Sequence, residues 1–150
     1  MPSALRLSSF IRLTGSAALL AIVAAACVGG STISATDPWV RYTGPDVAAG
    51  GFMTLTNGGD QDDALVSATS PDFATIELHE TSMADDGMMA MQPVSSITVP
   101  AGGTTALEPG SFHLMLFDPT GTIEVGQTVS IQLTFEGGET VTVEAEVQAP

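Results

Sequence analysis

Cysteine, basic residues and aromatic residues are all scarce in this chain of 150 residues. Because Cys27 is the only cysteine, no intramolecular disulfide can form. Lysine and arginine together number three, against 17 aspartates and glutamates, and Arg6 and Arg12 lie near the N-terminus. Beyond Cys27 the chain has a single strong base, Arg41, and all 17 acidic residues, which gives this part a charge of −16. Such a chain cannot neutralise phosphates, which excludes nucleic-acid binding and binding of its surface to anionic lipid.

A helical hydrophobic period is also missing beyond Cys27. Short segments of alternating apolar and polar residues are separated there by glycine, proline, asparagine and aspartate, which is typical of strands and turns. The pattern predicts one all-β domain, a β-sandwich or barrel, over residues 37–150. Its first strand is expected at 37–42, and Pro38 at the start of that strand favours a sheet edge.

The first 26 residues have the features of an export signal. Arg6 and Arg12 precede an apolar run of roughly 14 residues, shorter than the about 20 that a membrane-spanning helix needs. The run ends in three alanines before Cys27, which resembles a bacterial lipoprotein signal, in which the cysteine is lipid-modified and becomes the new N-terminus. We expect a signal peptide at 1–26, and a lipidated Cys27 with a flexible tether at 27–36. The protein would then lie on the periplasmic or extracytoplasmic face of the cell membrane, whereas ordinary cleavage would leave a free thiol.

The chain has only two histidines, and each lies in a predicted strand. In the segment 112–117, the side chains alternate between the two faces of the strand, so His113 and Met115 share one face opposite the apolar residues. In the segment 73–80, His79 likewise lies on the polar, outward face. An imidazole and a thioether on one strand face form half of a site for a soft metal.

Methionines are concentrated between the two histidine strands, around a polar Asp-Asp-Gly turn. Four thioethers have no evident core to enter there, whereas Met53 is predicted to fill the core. The four are Met83, Met88, Met89 and Met91. Thioethers and imidazoles suit copper(I), and thioethers form no disulfides in an oxidising compartment. These features favour a metal site but leave open which methionines belong to it.

The spacing of four of these residues resembles the signature of the periplasmic copper chaperones known as the PCu(A)C family. His79 is followed after eleven residues by Met91, after a further twenty-one by His113, and after one more by Met115. The resemblance extends over nearly the whole predicted domain. It implies a cupredoxin-like (Greek-key) β-domain that binds copper(I) near its surface through these four residues. It also implies delivery to the dinuclear copper centre of cytochrome c oxidase, often alongside a second, thiol-based chaperone.

The chain departs from this family pattern in two places. Many members have a methionine directly after the first histidine, where this chain has Glu80. Since Glu80 would point to the opposite face, Met88 or Met89 is the expected auxiliary thioether. Some members also carry a His- and Met-rich C-terminal extension that recruits copper(II). Residues 148–150 contain neither residue type, so we expect the chain to favour copper(I).

Other interpretations fit the residues less well. A blue-copper electron carrier needs a cysteine thiolate beside two histidines, and Cys27 lies on the tether. A hydrolytic zinc enzyme needs three His or carboxylate ligands, so Glu77 or Glu80 would have to complete the set. We therefore expect a binding protein and not an enzyme. Two alternatives remain: a copper scavenging or tolerance protein, and a non-metal acidic β-sandwich that serves as an interaction domain.

Overall fold

The computed structural model describes residues 32–150, so the predicted signal peptide, Cys27 and the first part of the predicted tether lie outside the described residues. Ten strands follow one another in this part of the chain: β1 (Ile33–Arg41), β2 (Ala49–Asn57), β3 (Asp63–Thr69), β4 (Phe73–Met83), β5 (Met89–Pro93), β6 (Ile97–Val99), β7 (Thr104–Leu107), β8 (Phe112–Pro119), β9 (Thr128–Phe135) and β10 (Thr140–Gln148). Within residues 32–150 the chain forms no helix long and apolar enough to cross a bilayer. The all-β prediction is confirmed.

The ten strands of residues 32–150 form one sheet in the order β5-β4-β8-β7-β2-β1-β10-β9-β3-β6, and β8 also pairs with β2. Most neighbours are antiparallel, whereas β1–β10 and β7–β8 are parallel. β3 packs against β4 without hydrogen bonds between the two strands, so the sheet folds back on itself. This closure produces the predicted sandwich or barrel, and the strand order places β4 and β8 side by side.

The hydrophobic core lies inside the folded sheet, where alternate side chains of each strand are buried. On β4 and β8 these are Leu78, Leu114 and Leu116, and Leu78 lies directly opposite Leu114. Met53 is also buried in the core, as predicted. Burying each such side chain contributes about 1.5–3 kcal/mol, which holds the two strands in this orientation. Their alternate residues must therefore face away from the core.

The first strand begins earlier than predicted. The tether was expected to reach residue 36, but β1 begins at Ile33, which is buried and pairs with Asn57 of β2. The prediction was wrong for residues 33–36, because Ile33 and Ala35 supply an apolar alternation that the small, polar composition of the segment obscured.

The edge position predicted for the first strand was also wrong. β1 lies between β2 and β10 in the interior of the sheet. Pro38 is tolerated because the β1–β2 register shifts between Thr36 and Trp39, with Asp37 at a φ of 51°. The pairing with β10 begins only at Trp39. Proline thus lies in a bulge, where no ladder hydrogen bond requires its missing N–H group.

Candidate metal centre

The two histidines lie directly opposite each other on neighbouring strands. His79 of β4 pairs with His113 of β8 in the antiparallel register, and their ring centroids are 5.9 Å apart. One pleat along the same ladder, Glu77 lies opposite Met115. Opposite residues of an antiparallel pair share a face of the sheet, so Met115 lies on the same face as both imidazoles.

The remaining predicted ligand comes from the edge strand β5. Met91 pairs with Thr81, which lies one pleat beyond His79 on the same face of β4. Met91 also lines a cavity of about 190 Å³ together with His113 and Met115. The fold therefore brings two imidazoles and two thioethers, from three adjacent strands, to one region of the sheet.

The histidines are more deeply buried than the strand pattern predicted. Both lie on the face opposite the core, as expected, but His79 is 9% exposed and His113 only 4%. Residues from outside the two histidine strands lie around His113 on this face. Thr43, Val47 and Ala48 of the β1–β2 connection line the same cavity as His113. The expectation of an outward surface was wrong because this cover comes from residues distant in sequence.

Each imidazole uses one ring nitrogen for a hydrogen bond. His113 Nδ1–H donates to the Ser111 carbonyl oxygen at 2.9 Å, and His79 Nε2–H donates to Glu77 Oε2 at 2.9 Å. The other two nitrogens, His79 Nδ1 and His113 Nε2, are buried and have no hydrogen-bond partner. An unsatisfied buried polar group costs about 1–3 kcal/mol. With the proton on the bonded nitrogen, the unpartnered nitrogen carries the lone pair that a metal requires.

The carbonyl group that accepts the His113 hydrogen bond is itself held in place. The Ser111 carbonyl oxygen also accepts the Thr81 N–H group of β4 at 3.1 Å, so both of its lone-pair positions are used. The His113 ring is therefore oriented by a backbone group that is anchored to the neighbouring strand. The tautomer with the lone pair on Nε2 follows from this arrangement.

An aromatic wall, formed by Phe52 and Trp39, borders the histidines on the β2 side. The Phe52 ring centroid lies 6.3 Å from that of His113 and 4.5 Å from that of Trp39. The Arg41 guanidinium lies 5.2 Å from the Phe52 centroid, within range of a cation–π interaction. Gly50 leaves room for this ring, because a Cβ atom there would lie 2.8 Å from Phe52 Cζ. A glycine within a strand is a known signal of close packing, so Gly50 is the sequence feature that could have indicated this contact.

The other methionines and Glu80 occupy distinct positions around this region. Met89 pairs with Met83 on the site face of the β4–β5 hairpin, and Met88 lies in the preceding turn. Glu80 pairs with Phe112 and therefore points to the opposite face from His79, as predicted. Within residues 32–150 no group of three or more His, Cys, Asp and Glu side chains is arranged to hold a metal.

Comparisons with known proteins agree with this architecture. The family model described as "Putative lipoprotein LpqE-like" matches residues 33–147. "Putative lipoprotein Lxx21020" of Leifsonia xyli subsp. xyli (strain CTCB07) is 31% identical over 116 residues, which cover 77% of this chain and 69% of that protein. The uncharacterized protein RP573 of Rickettsia prowazekii (strain Madrid E) is 30% identical over 104 residues, which cover 66% of this chain and 57% of that protein.

Solved structures share the fold. The copper-bound PCuAC domain from PmoF2 superposes with a TM-score of 0.67 at 26% identity, covering 80% of this chain and 95% of that domain. The copper(I) form of DR1885 from Deinococcus radiodurans superposes with a TM-score of 0.60 at 31% identity, covering 84% and 83%. The cupredoxin-like β fold implied by the sequence resemblance is confirmed. This chain therefore belongs to the LpqE-like family, and its β-domain is of the PCuAC type.

Proposed function

We propose that this protein is an extracytoplasmic copper(I)-binding metallochaperone, in which His79, Met91, His113 and Met115 hold the ion as cargo. The observation that carries the proposal is the pair of buried, unpartnered imidazole nitrogens on facing strands, with two thioethers that line a cavity together with His113. Copper in the related PmoF2 domain and copper(I) in DR1885 support the choice of metal.

The chemistry of the four side chains suits reversible transport of a soft ion. Two neutral imidazoles and two thioethers add no negative charge, which favours copper(I) over harder divalent ions. Met91 is 55% exposed, so one ligand of the proposed set remains accessible to an incoming protein. Ligand exchange could then begin at this thioether while the buried histidines still hold the ion. This activity is binding and release, without catalysis.

An anaerobic copper(I) titration in competition with a chromophoric chelator tests the proposed site. We expect one tight equivalent for the wild type. The double variant His113→Ala/Met115→Ala should lose it, since one imidazole and one thioether are removed. Met53→Leu is the matched control, because Met53 is a buried core residue and should leave binding unchanged. Absence of binding by the wild type, or unchanged binding by the double variant, would refute the proposed site.

The recipient in this proposal is the dinuclear copper centre of cytochrome c oxidase, reached directly at its copper-bearing subunit or through a second, thiol-based copper chaperone. The family's chaperone type supports a delivery role. Oxidase activity in a deletion strain should fall when copper is scarce and recover when copper is ample. Normal oxidase activity at scarce copper, combined with poor growth at high copper, would instead identify a tolerance protein.

The proposed location is the outer face of the cell membrane, with a lipid on Cys27 as the anchor. The lipoprotein description of the LpqE-like family and of the Leifsonia relative supports this location. Radiolabelled fatty acid should be incorporated into the wild-type protein and not into a Cys27→Ser variant. Equal labelling of the two proteins, or no labelling of either, would contradict lipidation at this residue.

A further inference from the structure

The β4–β5 hairpin carries exposed methionines that the four-residue site does not account for. We call the segment from Met83 to Met91 the methionine hairpin. Its four methionines are between 55% and 71% exposed. Leaving such a side chain in water forgoes about 1.5–3 kcal/mol of burial energy, and clustered exposed apolar groups commonly mark a binding surface. The cluster has no packing role in the core and therefore needs another explanation.

The strand register aligns three of these thioethers on one face. Met83 lies directly opposite Met89, and Met91 follows two residues later on the same strand. Because side chains alternate along a strand, all three share the face that carries His79. Directly opposite Cβ atoms lie about 4.5–5.5 Å apart and diagonal ones about 7–8 Å, within reach of long side chains. Methionine has three rotatable bonds, so the three sulfurs can converge on one ion.

The turn of the hairpin holds this register in place. The Ala84 N–H donates to the Met88 carbonyl oxygen at 2.8 Å, and the Gly87 N–H donates to the Ala84 carbonyl oxygen at 2.9 Å. The Met88 N–H also donates to Asp86 Oδ1 at 3.0 Å, and Gly87 supplies the left-handed conformation at a φ of 81°. Asp85 is exposed beside them, so two carboxylates at the tip attract cations toward the neighbouring sulfurs.

We propose that Met83, Met89 and Met91 form a second copper(I) site, at which the ion first binds before it enters the histidine site. This inference rests on the proposed function, because it takes copper(I) as the cargo. Met91 belongs to both sites and passes the ion between them. The ion keeps its charge throughout. The copper–sulfur bonds to Met83 and Met89 break as bonds to two of the three new ligands form, and the third new ligand then adds without displacing another. The new ligands are the two imidazole nitrogens and the Met115 sulfur. No electron or proton is required.

Equilibrium binding isolates the hairpin site when the histidine site is disabled. The probe is copper(I) alone, in anaerobic competition with a weak chelator. In the full-length protein carrying His113→Ala/Met115→Ala, we expect one weaker equivalent to remain. Adding Met83→Leu and Met89→Leu should abolish it, because leucine keeps the apolar volume and removes both sulfurs. Adding Met53→Leu instead is the matched control and should leave the weak equivalent intact.

Kinetics test the role in uptake. With the histidine site intact, Met83→Leu should leave the equilibrium affinity for copper(I) within about threefold and slow uptake about tenfold, as expected when one stabilising interaction is lost at the barrier. Stopped-flow transfer of copper(I) from the chelator measures both. Unchanged uptake would overturn the role as an entry site. If the leucine substitutions perturb the hairpin, Met83→Thr and Met89→Thr provide a second pair of variants, because threonine is favoured in strands.

The two proposals fail in different ways. If wild-type protein binds no copper(I), the proposed function itself is wrong. If the wild type binds one tight equivalent that depends on His113 and Met115, but the double variant at these positions binds none, the proposed function stands and the hairpin site is refuted. Retention of the weak equivalent after removal of Met83 and Met89 would also refute it, since the sulfurs would not be the ligands.

Discussion

At the scale of single residues, the candidate centre depends on how each imidazole is oriented. His79 is held by the carboxylate of Glu77, and His113 by a backbone carbonyl. Groups that bond to the far nitrogen of a metal-binding histidine fix its tautomer and raise its basicity. Of these two groups, only the carboxylate can be removed by substitution. A substitution of Glu77 therefore tests whether this support matters for copper binding.

Glu77→Ala should lower the affinity for copper(I) about 10- to 100-fold, the usual effect of losing such a supporting group. The His79 ring would lose the acceptor of its Nε2 proton, so Nδ1 would no longer be the preferred unprotonated nitrogen. Chelator competition measures the change. Glu80→Ala is the matched control, because Glu80 is a glutamate on the same strand that points to the opposite face. Equal effects of the two substitutions would indicate a general charge effect and not support of His79.

Met115→Ile separates ligation from packing. Met115 is half-buried between Gly50 of β2 and Glu77 of β4, on the face opposite the core. A substitution of similar volume should change the free energy of unfolding by less than about 1.5 kcal/mol. The copper(I) affinity should fall by more than about 100-fold, because a ligand is removed. This loss exceeds the effect of removing a group that only supports a ligand. Urea unfolding and chelator competition measure the two quantities. A large loss of stability with intact affinity would mean that Met115 is a packing residue.

At the scale of elements, the β2 strand shapes the site through close contact and not through ligands. Gly50 permits Phe52 to lie against His113. The Phe52 ring also contacts the Trp39 ring and the Arg41 guanidinium. The only strong base beyond Cys27 is thus stacked near the candidate centre. The position of the Phe52 ring therefore depends on the lack of a side chain at Gly50.

Gly50→Ala should reduce the free energy of unfolding by about 1–3 kcal/mol, because the added methyl group overlaps the Phe52 ring and forces it to shift. The copper(I) affinity should fall as well, since the displaced ring presses on His113. Thermal unfolding and chelator competition provide the measurements. Gly121→Ala is the control, because a Cβ atom there meets nothing within 4 Å and the backbone is not left-handed. If both variants retain wild-type stability and affinity, the Gly50–Phe52 contact is not required.

At the scale of the whole molecule, a ligand that binds only the folded chain stabilises it. The four proposed ligands come from β4, β5 and β8, which are brought together only in the folded sheet. At a free copper(I) concentration one thousand times the dissociation constant, the free energy of unfolding should rise by about 4 kcal/mol. Denaturant unfolding under anaerobic conditions measures the increase. The His113→Ala/Met115→Ala variant should show a much smaller increase, from the weaker hairpin site alone, and an equal increase in that variant would indicate that the stabilisation does not depend on His113 and Met115.

The sequence by itself determined the strands, most of the turns and the faces of the two histidine strands. These features are local, because alternation along a strand and glycine in a turn depend on neighbouring residues alone. The spacing of His79, Met91, His113 and Met115 was sufficient to indicate the PCu(A)C type, and the comparisons confirm the family. The ligand roles of these residues stay a prediction.

Tertiary structure alone decided which strands are neighbours and what covers the site. The register that sets His79 opposite His113 arises from pairing between segments more than thirty residues apart in the sequence. The burial of both rings, the contact between Gly50 and Phe52, and the interior position of β1 arise in the same way. Non-local pairing and packing depend on the closure of the whole sheet, which no local pattern of residues specifies.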